Sequence, residues 1–104
     1  MNSLKTSQLF ERAIKIICSI EKGKVSTYGK IASICGYPRN ARQVAFILKH
    51  YSKEYHLPWQ RIISSSGRIS IKDPIGFQMQ KEILIEEGVF VSHNGKIDLK
   101  EFLA

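Results

Sequence analysis

A chain of 104 residues can bury one core of helices packed on a small sheet, and it leaves no room for a second domain, so residues 1–104 are read as a single unit. Sixteen Lys and Arg against nine Asp and Glu give a net charge of +7 and a sequence pI near 9.6, a balance that points away from acidic partners and toward a polyanion. No stretch approaches the roughly eighteen apolar residues of a membrane helix, and residues 1–8 carry one Lys and no apolar run of the signal-peptide kind, so a cytoplasmic location, nucleoid-associated in a bacterium, is expected with no membrane partner.

In chain order, Leu9, Phe10, Ala13, Ile14, Ile16, Ile17 and Ile20 recur at three- and four-residue spacing between Glu11, Arg12 and Lys15, which predicts a first helix over 9–20 with Gly23 in its cap. Val25 leads to Ser26-Thr27, either of which can cap a second helix over 28–34. After the turn Cys35-Gly36-Tyr37-Pro38, a third helix is predicted from residue 39 or 40 to 50. Ala41, Val44, Ala45 and Leu48 share one of its faces, leaving Arg39, Arg42, Gln43 and Lys49 for solvent or a ligand. Two helices joined so briefly fit a helix-turn-helix and an ordinary αα-hairpin equally well.

Residues 51–56 read as a polar loop leading into Leu57-Pro58-Trp59-Gln60-Arg61-Ile62-Ile63. Proline fixes its own φ and pushes the residue before it toward an extended conformation, so Trp59 sits in a constrained step. Ile62-Ile63 and Arg68-Ile69-Ser70-Ile71 around Ser64-Ser65-Ser66-Gly67 predict a hairpin. Lys72-Asp73-Pro74-Ile75-Gly76 is read as a loop, 77–87 as a helix closed by Gly88, and Val89-Phe90-Val91 with Lys96-Ile97-Asp98 as a terminal hairpin around Asn94-Gly95. The expected class is mainly α with small β, about four helices and one or two short hairpins.

Taken singly, the candidate residues have plain structural readings. A lone tryptophan after proline commonly anchors a core with its indole N–H satisfied, although Trp59 beside Gln60 and Arg61 also suits a planar ligand. Tyr28 fits a half-buried aromatic at a helix start, and Arg42 a solvated helix-face cation. Cys18 and Cys35 have neither C-x-x-C spacing nor nearby His ligands; both are read as buried thiols, with no metal and no cofactor expected.

Several segments taken together resemble one family. Pro58-Trp59-Gln60-Arg61-Ile62-Ile63 is similar to the Pro-Cys-His-Arg-Val-Ile active-site step of O6-alkylguanine-DNA alkyltransferases, with Trp59 in place of the nucleophilic cysteine, a replacement that marks the alkyltransferase-like proteins. Gly23-Lys24-Val25-Ser26-Thr27-Tyr28-Gly29-Lys30-Ile31-Ala32 resembles the family's Gly-x-Val-x-Thr-Tyr-Gly-x-Ile-Ala, and Ala41-Arg42-Gln43-Val44 its Ala-Arg-x-Val. The likeness runs from about residue 10 to 91 and implies the helix-turn-helix, winged-helix-like fold of the alkyltransferase C-terminal domain.

By that resemblance Tyr28 presses on the phosphate 3′ to the target nucleotide and helps rotate it, while Arg42 enters the stack from the minor groove and fills the gap. The family's Glu-His-water relay, which makes the cysteine a thiolate, is matched here by Glu87, Gln60 and Trp59. An indole has no nucleophile that ionises near neutral pH, and a carboxamide cannot accept a proton as imidazole does, so dealkylation has no route. What the resemblance leaves is a lesion pocket built from Pro58, Trp59, Gln60 and Arg61, with Ser70, Ile71, Lys72 and Asp73 at its lip. A departure falls at His50-Tyr51-Ser52-Lys53, where the family's Asn-Pro is absent.

The expected function is recognition without catalysis. A monomer binds O6-alkylguanine in double-stranded DNA, flips the nucleotide and marks it for nucleotide excision repair proteins. The alternatives are a sequence-specific helix-turn-helix transcriptional regulator and, more remotely, an alkyltransferase that uses Cys18 or Cys35.

Overall fold

The structure, a computed structural model, describes residues 7–104, so most of the expectation for residues 1–8 lies outside the described residues. Helix α1, Gln8–Ser19, starts where the Ser7 hydroxyl accepts from the Phe10 N–H at 3.1 Å, and it buries Leu9, Phe10, Ala13 and Ile17 along one stripe. Strand β1, Ser26–Thr27, runs directly into α2, Tyr28–Ile34, whose cap is Thr27: its Oγ1 accepts from the Lys30 N–H at 3.1 Å. Helix α3, Ala41–Tyr55, packs on α2, giving two helices joined by a short turn in the helix-turn-helix order.

Two helix ends share one device. After α2 the N–H of Gly36 bonds the Ser33 carbonyl and that of Tyr37 the Ala32 carbonyl; after α4, Pro74–Glu86, Gly88 bonds Ile85 and Val89 bonds Leu84. Both are Schellman closures, and the glycines take φ of 89° and 97°, where a side chain would be strained. At its other end α4 begins at Pro74, with Asp73 Oδ2 accepting from the Gly76 N–H at 2.8 Å. The helix therefore takes in residues 74–76, read from sequence as loop, because an aspartate followed by proline is a start signal as well as a turn signal.

Trp59–Arg61 forms a 3-10 turn and Ile62–Ile63 forms β2. This strand pairs in parallel with β1, Ser26 opposite Ile62 and Thr27 opposite Ile63, and not with residues 68–71 as the hairpin reading had it. The reason is burial: both isoleucines are enclosed, one on each face, as strands of a parallel pair tend to be, whereas Arg68 and Ser70 are exposed. Alternation along β2 places Ile62 in a core with α1, α2 and α3 and Ile63 in a second core with Val25, Ile69, Leu84, Val89, Val91 and Ile97.

The predicted turns survive without their ladders. Ser64 N–H bonds the Arg68 carbonyl across the Ser64–Gly67 turn, but residues 67–69 then pair with 95–97, through Ile69 N–H to Gly95 and Ile97 N–H to Gly67. The Asn94-Gly95 turn is closed by Ser92 N–H to Lys96, with no ladder along 89–91. A fifth helix, α5, Leu99–Phe102, ends the chain, and Val25 N–H bonds the Phe102 carbonyl, fastening the C-terminus to β1. The class is as expected, mostly helical with a two-stranded sheet, with five helices among the described residues and not about four.

Candidate nucleic-acid interface

The site grows from the place where β1 and β2 lie side by side. Tyr28 follows Thr27 at the end of β1, and the Pro58-Trp59 step precedes Ile62 at the start of β2; they stand at opposite ends of the short parallel ladder, and both line one cavity beside it. Its volume is about 1010 Å³, at the upper end of the roughly 300–1,000 Å³ typical of ligand clefts. Leu48, Leu57 and Ile62 supply a buried apolar floor, Ile71 and Asp73 stand at the rim, and the C-terminal half of α3 forms a wall.

Trp59 is half-buried, packed on the first core, yet its indole N–H has no partner in the protein among the described residues. With no buried side-chain nitrogen left unpaired, that N–H reaches the open side, unlike the satisfied core anchor a lone tryptophan often is. The Tyr28 ring also leans on the first core, and its hydroxyl lies 3.2 Å from the Ser70 hydroxyl. Arg42 is exposed on α3, outside the cavity lining.

Gln60 and Arg61 face the other way. Gln60 Nε2 donates to Glu87 Oε2 at 2.8 Å, while Arg61 donates from Nε to Oε1 at 2.9 Å, from NH2 to Oε2 at 3.0 Å and from NH1 to the Ile20 carbonyl at 2.9 Å. Arg61's hydrogen bonds hold the Glu87 carboxyl below its ordinary range against the opposing effect of burial, with Gln60 and Lys22 assisting. Neither Gln60 nor Arg61 lines the cavity, nor do Pro58, Ser70 and Lys72; of the eight residues expected to form the pocket, Trp59, Ile71 and Asp73 do so. Gln60 and Arg61 fasten the Trp59 step to Glu87 at the end of α4.

Two contributions escaped the sequence. Gln80, 2% exposed, donates through Nε2 to the carbonyls of Gln60 at 3.0 Å and Ile62 at 3.1 Å, which fixes its amide orientation and ties α4 to the Trp59 step. Residues 51–55, expected as loop, continue α3 to Tyr55, so Lys49, Ser52, Lys53 and, beyond the helix end, His56 line the cavity. The spacing from Ala45 to His56 and the lack of any breaker before Pro58 carried that signal.

The cysteines differ from each other. Cys18 is exposed, contrary to the reading of two buried thiols, because it lies on the outward face of α1; Cys35 is buried, and burial raises its thiol above the usual range despite the nearby Arg12 charge. Neither lines the cavity. Among the described residues no cluster of His, Cys, Asp or Glu could hold a metal, and no helix is long and apolar enough to cross a membrane.

Residues 8–89 match the family model for the DNA-binding domain of 6-O-methylguanine DNA methyltransferase. The chain is 41% identical over 92 residues to the DNA base-flipping protein of Escherichia coli, covering 88% of this chain and 70% of that one. It is 40% identical over 105 residues to alkyltransferase-like protein 1 of Schizosaccharomyces pombe, covering 96% and 97%. The crystal structure of S. pombe Atl1 in complex with damaged DNA containing O6-carboxymethylguanine superposes with a TM-score of 0.80 at 42% identity, over 93% of this chain and 94% of that one. Sequence match and superposition thus agree: the chain belongs to the family of the 6-O-methylguanine DNA methyltransferase DNA-binding domain, among its alkyltransferase-like proteins.

Proposed function

We propose that this protein binds O6-alkylguanine in duplex DNA, turns the damaged nucleotide out of the helix into the cavity beside Trp59, and holds it without removing the alkyl group. The observation that carries this reading is an indole at the cavity wall, with Gln60 and Arg61 both donating to Glu87 outside the lining. No thiolate faces the cavity, and the one carboxylate of the expected relay is committed to a guanidinium.

In this reading Tyr28, at the first position of α2, presses on a backbone phosphate, and Arg42, exposed on α3, offers a planar cation to stack in the vacated space. Unstacking a base costs a few kcal/mol, less for an alkylated and poorly paired guanine, so a stacking pocket can select damage with no chemical step. The net charge of +7 supplies backbone affinity that falls with added salt. A bound and distorted site then serves as the mark for nucleotide excision repair, with the protein acting as a monomer on chromosomal DNA.

The test is a titration of a duplex carrying one O6-methylguanine against its unmodified twin at fixed ionic strength. Tighter binding of the lesion with no methyl group gained by the protein, read by intact mass, supports the reading; equal affinity for both duplexes, or a stoichiometric mass gain, ends it.

A further inference from the structure

Beside the face of α3 that walls the cavity runs a second one, turned to solvent. Arg42, Phe46, Lys49, His50 and Lys53 follow one another along it at three- and four-residue spacing, and all five are exposed. Lys49 and Lys53 lie on the border and line the cavity as well; Phe46 and His50 stay off its lining. Phe46 is the exception in this polar stripe. It is 45% exposed, the one large hydrophobic of α3 left on the surface, while Val44, Ile47 and Leu48 supply the helix's buried face.

His50, one turn further on, braces the ring: the two centroids lie 4.1 Å apart with the planes tilted by 34°. The stack restricts the Phe46 rotamer, so the apolar surface still in water is already ordered and a further contact costs it little entropy. An ordered apolar ring among cations matches the double character of a DNA groove, with phosphates along its edges and deoxyribose and base edges between them.

We propose that Phe46, braced by His50, is an apolar wedge. It lodges in the minor groove beside the gap that Arg42 fills and packs on the deoxyribose and base edges of the neighbouring step, keeping the groove open while the damaged nucleotide is out. The inference rests on the proposed lesion recognition and adds to it a contact made by an uncharged side chain. One turn separates Phe46 from Arg42, about 6 Å along the helix axis, which is within two base-pair steps of about 3.4 Å. A wedge of this kind stabilises an opened step, so it favours the complex with an extruded base over the complex with intact DNA.

The experiment titrates the O6-methylguanine duplex and its unmodified twin at several salt concentrations, using wild type, Phe46→Ala, Phe46→Gln, Phe46→Tyr and His50→Ala, with helicity checked by circular dichroism. Glutamine is a good helix former, so it removes the ring at an exposed position without weakening α3. Phe46→Ala and Phe46→Gln should each bind the lesion duplex about tenfold more weakly and lower the ratio of lesion to unmodified affinity. The slope of log affinity against log salt should stay at the wild-type value, because an apolar contact releases no counterions. Phe46→Tyr, which keeps the ring, should retain most of the affinity, and His50→Ala should show a smaller loss of the same kind. Unchanged lesion affinity in the folded alanine and glutamine variants, with wild type still preferring the lesion, overturns the wedge and leaves lesion recognition standing. Equal weakening on both duplexes, or a shallower salt slope, makes Phe46 a support for the general DNA contacts of α3 and also overturns it. Loss of all preference for O6-methylguanine over guanine in wild type removes the underlying reading as well.

Discussion

The guanidinium of Arg61 and the carboxylate of Glu87 meet edge to edge through two hydrogen bonds, Nε to Oε1 at 2.9 Å and NH2 to Oε2 at 3.0 Å, joining the Trp59 step to the C-terminal end of α4. The side chains are 17% and 10% exposed, so the pair is shielded enough for geometry to matter.

Glu87→Gln should therefore destabilise the protein by about 2 kcal/mol in urea unfolding at pH 7, since Arg61 loses its counter-charge while half-buried. The pH dependence has a fixed sign. A carboxyl lowered in the folded state contributes stability that is complete above its ordinary value of 4.5 and is lost as pH falls through the depressed folded value. Wild type should lose stability on acidification below that range more steeply than Glu87→Gln, and parallel curves would show that the pair is not the cause.

Gln80 is the buried hinge pin of the same region. In Gln80→Leu the carbonyls of Gln60 and Ile62 lose a shared donor, at a cost of about 2 kcal/mol for buried acceptors left unmet. As Trp59 is the single tryptophan, its emission reports locally: the variant should show a red shift as the step loosens, measured in native buffer. An unshifted spectrum with unchanged stability would make the amide incidental.

Trp59→Cys should take up no methyl group from O6-methylguanine DNA, because Gln60 cannot act as a base and Glu87 is held by Arg61. Intact mass after incubation with excess methylated duplex gives the answer; a rapid gain of one methyl per protein would refute the account of the dismantled relay.

Arg42→Ala should weaken binding to the lesion duplex at least tenfold without altering circular dichroism, as the side chain is exposed on α3. Tyr28→Ala should weaken it similarly and also lower stability by about 1–3 kcal/mol, since that ring packs on the first core. Unchanged affinity in a folded Arg42→Ala would remove that residue from the interface.

Helices α1 and α2 are legible because the apolar stripe of α1 and the Thr27 cap are local signals. Tyr28, Trp59, Ile71 and Asp73, picked out by motif, do share one cavity. Pairing was harder: Ile62-Ile63 beside a serine-rich turn looks like one arm of a hairpin, and only burial on both faces makes Ser26–Thr27 its partner, a relation between segments 36 residues apart in the register. The motif groups Gln60 and Arg61 with Trp59 in the pocket, but in the 3-10 turn both bond to Glu87 and lie outside the cavity lining. The polar residues 51–55 hid a helix, since helical lysines and serines on a cavity wall have the composition of a loop.

The two-residue ladder between Ser26–Thr27 and Ile62–Ile63 has a mechanical meaning. The residue expected to push leaves one end of the ladder and the residue expected to receive enters at the other, so the span between them is gauged by main-chain pairing and not by any particular side chain. Sequence drift can reshape the walls and retune which adducts fit while the reach of the tool stays constant.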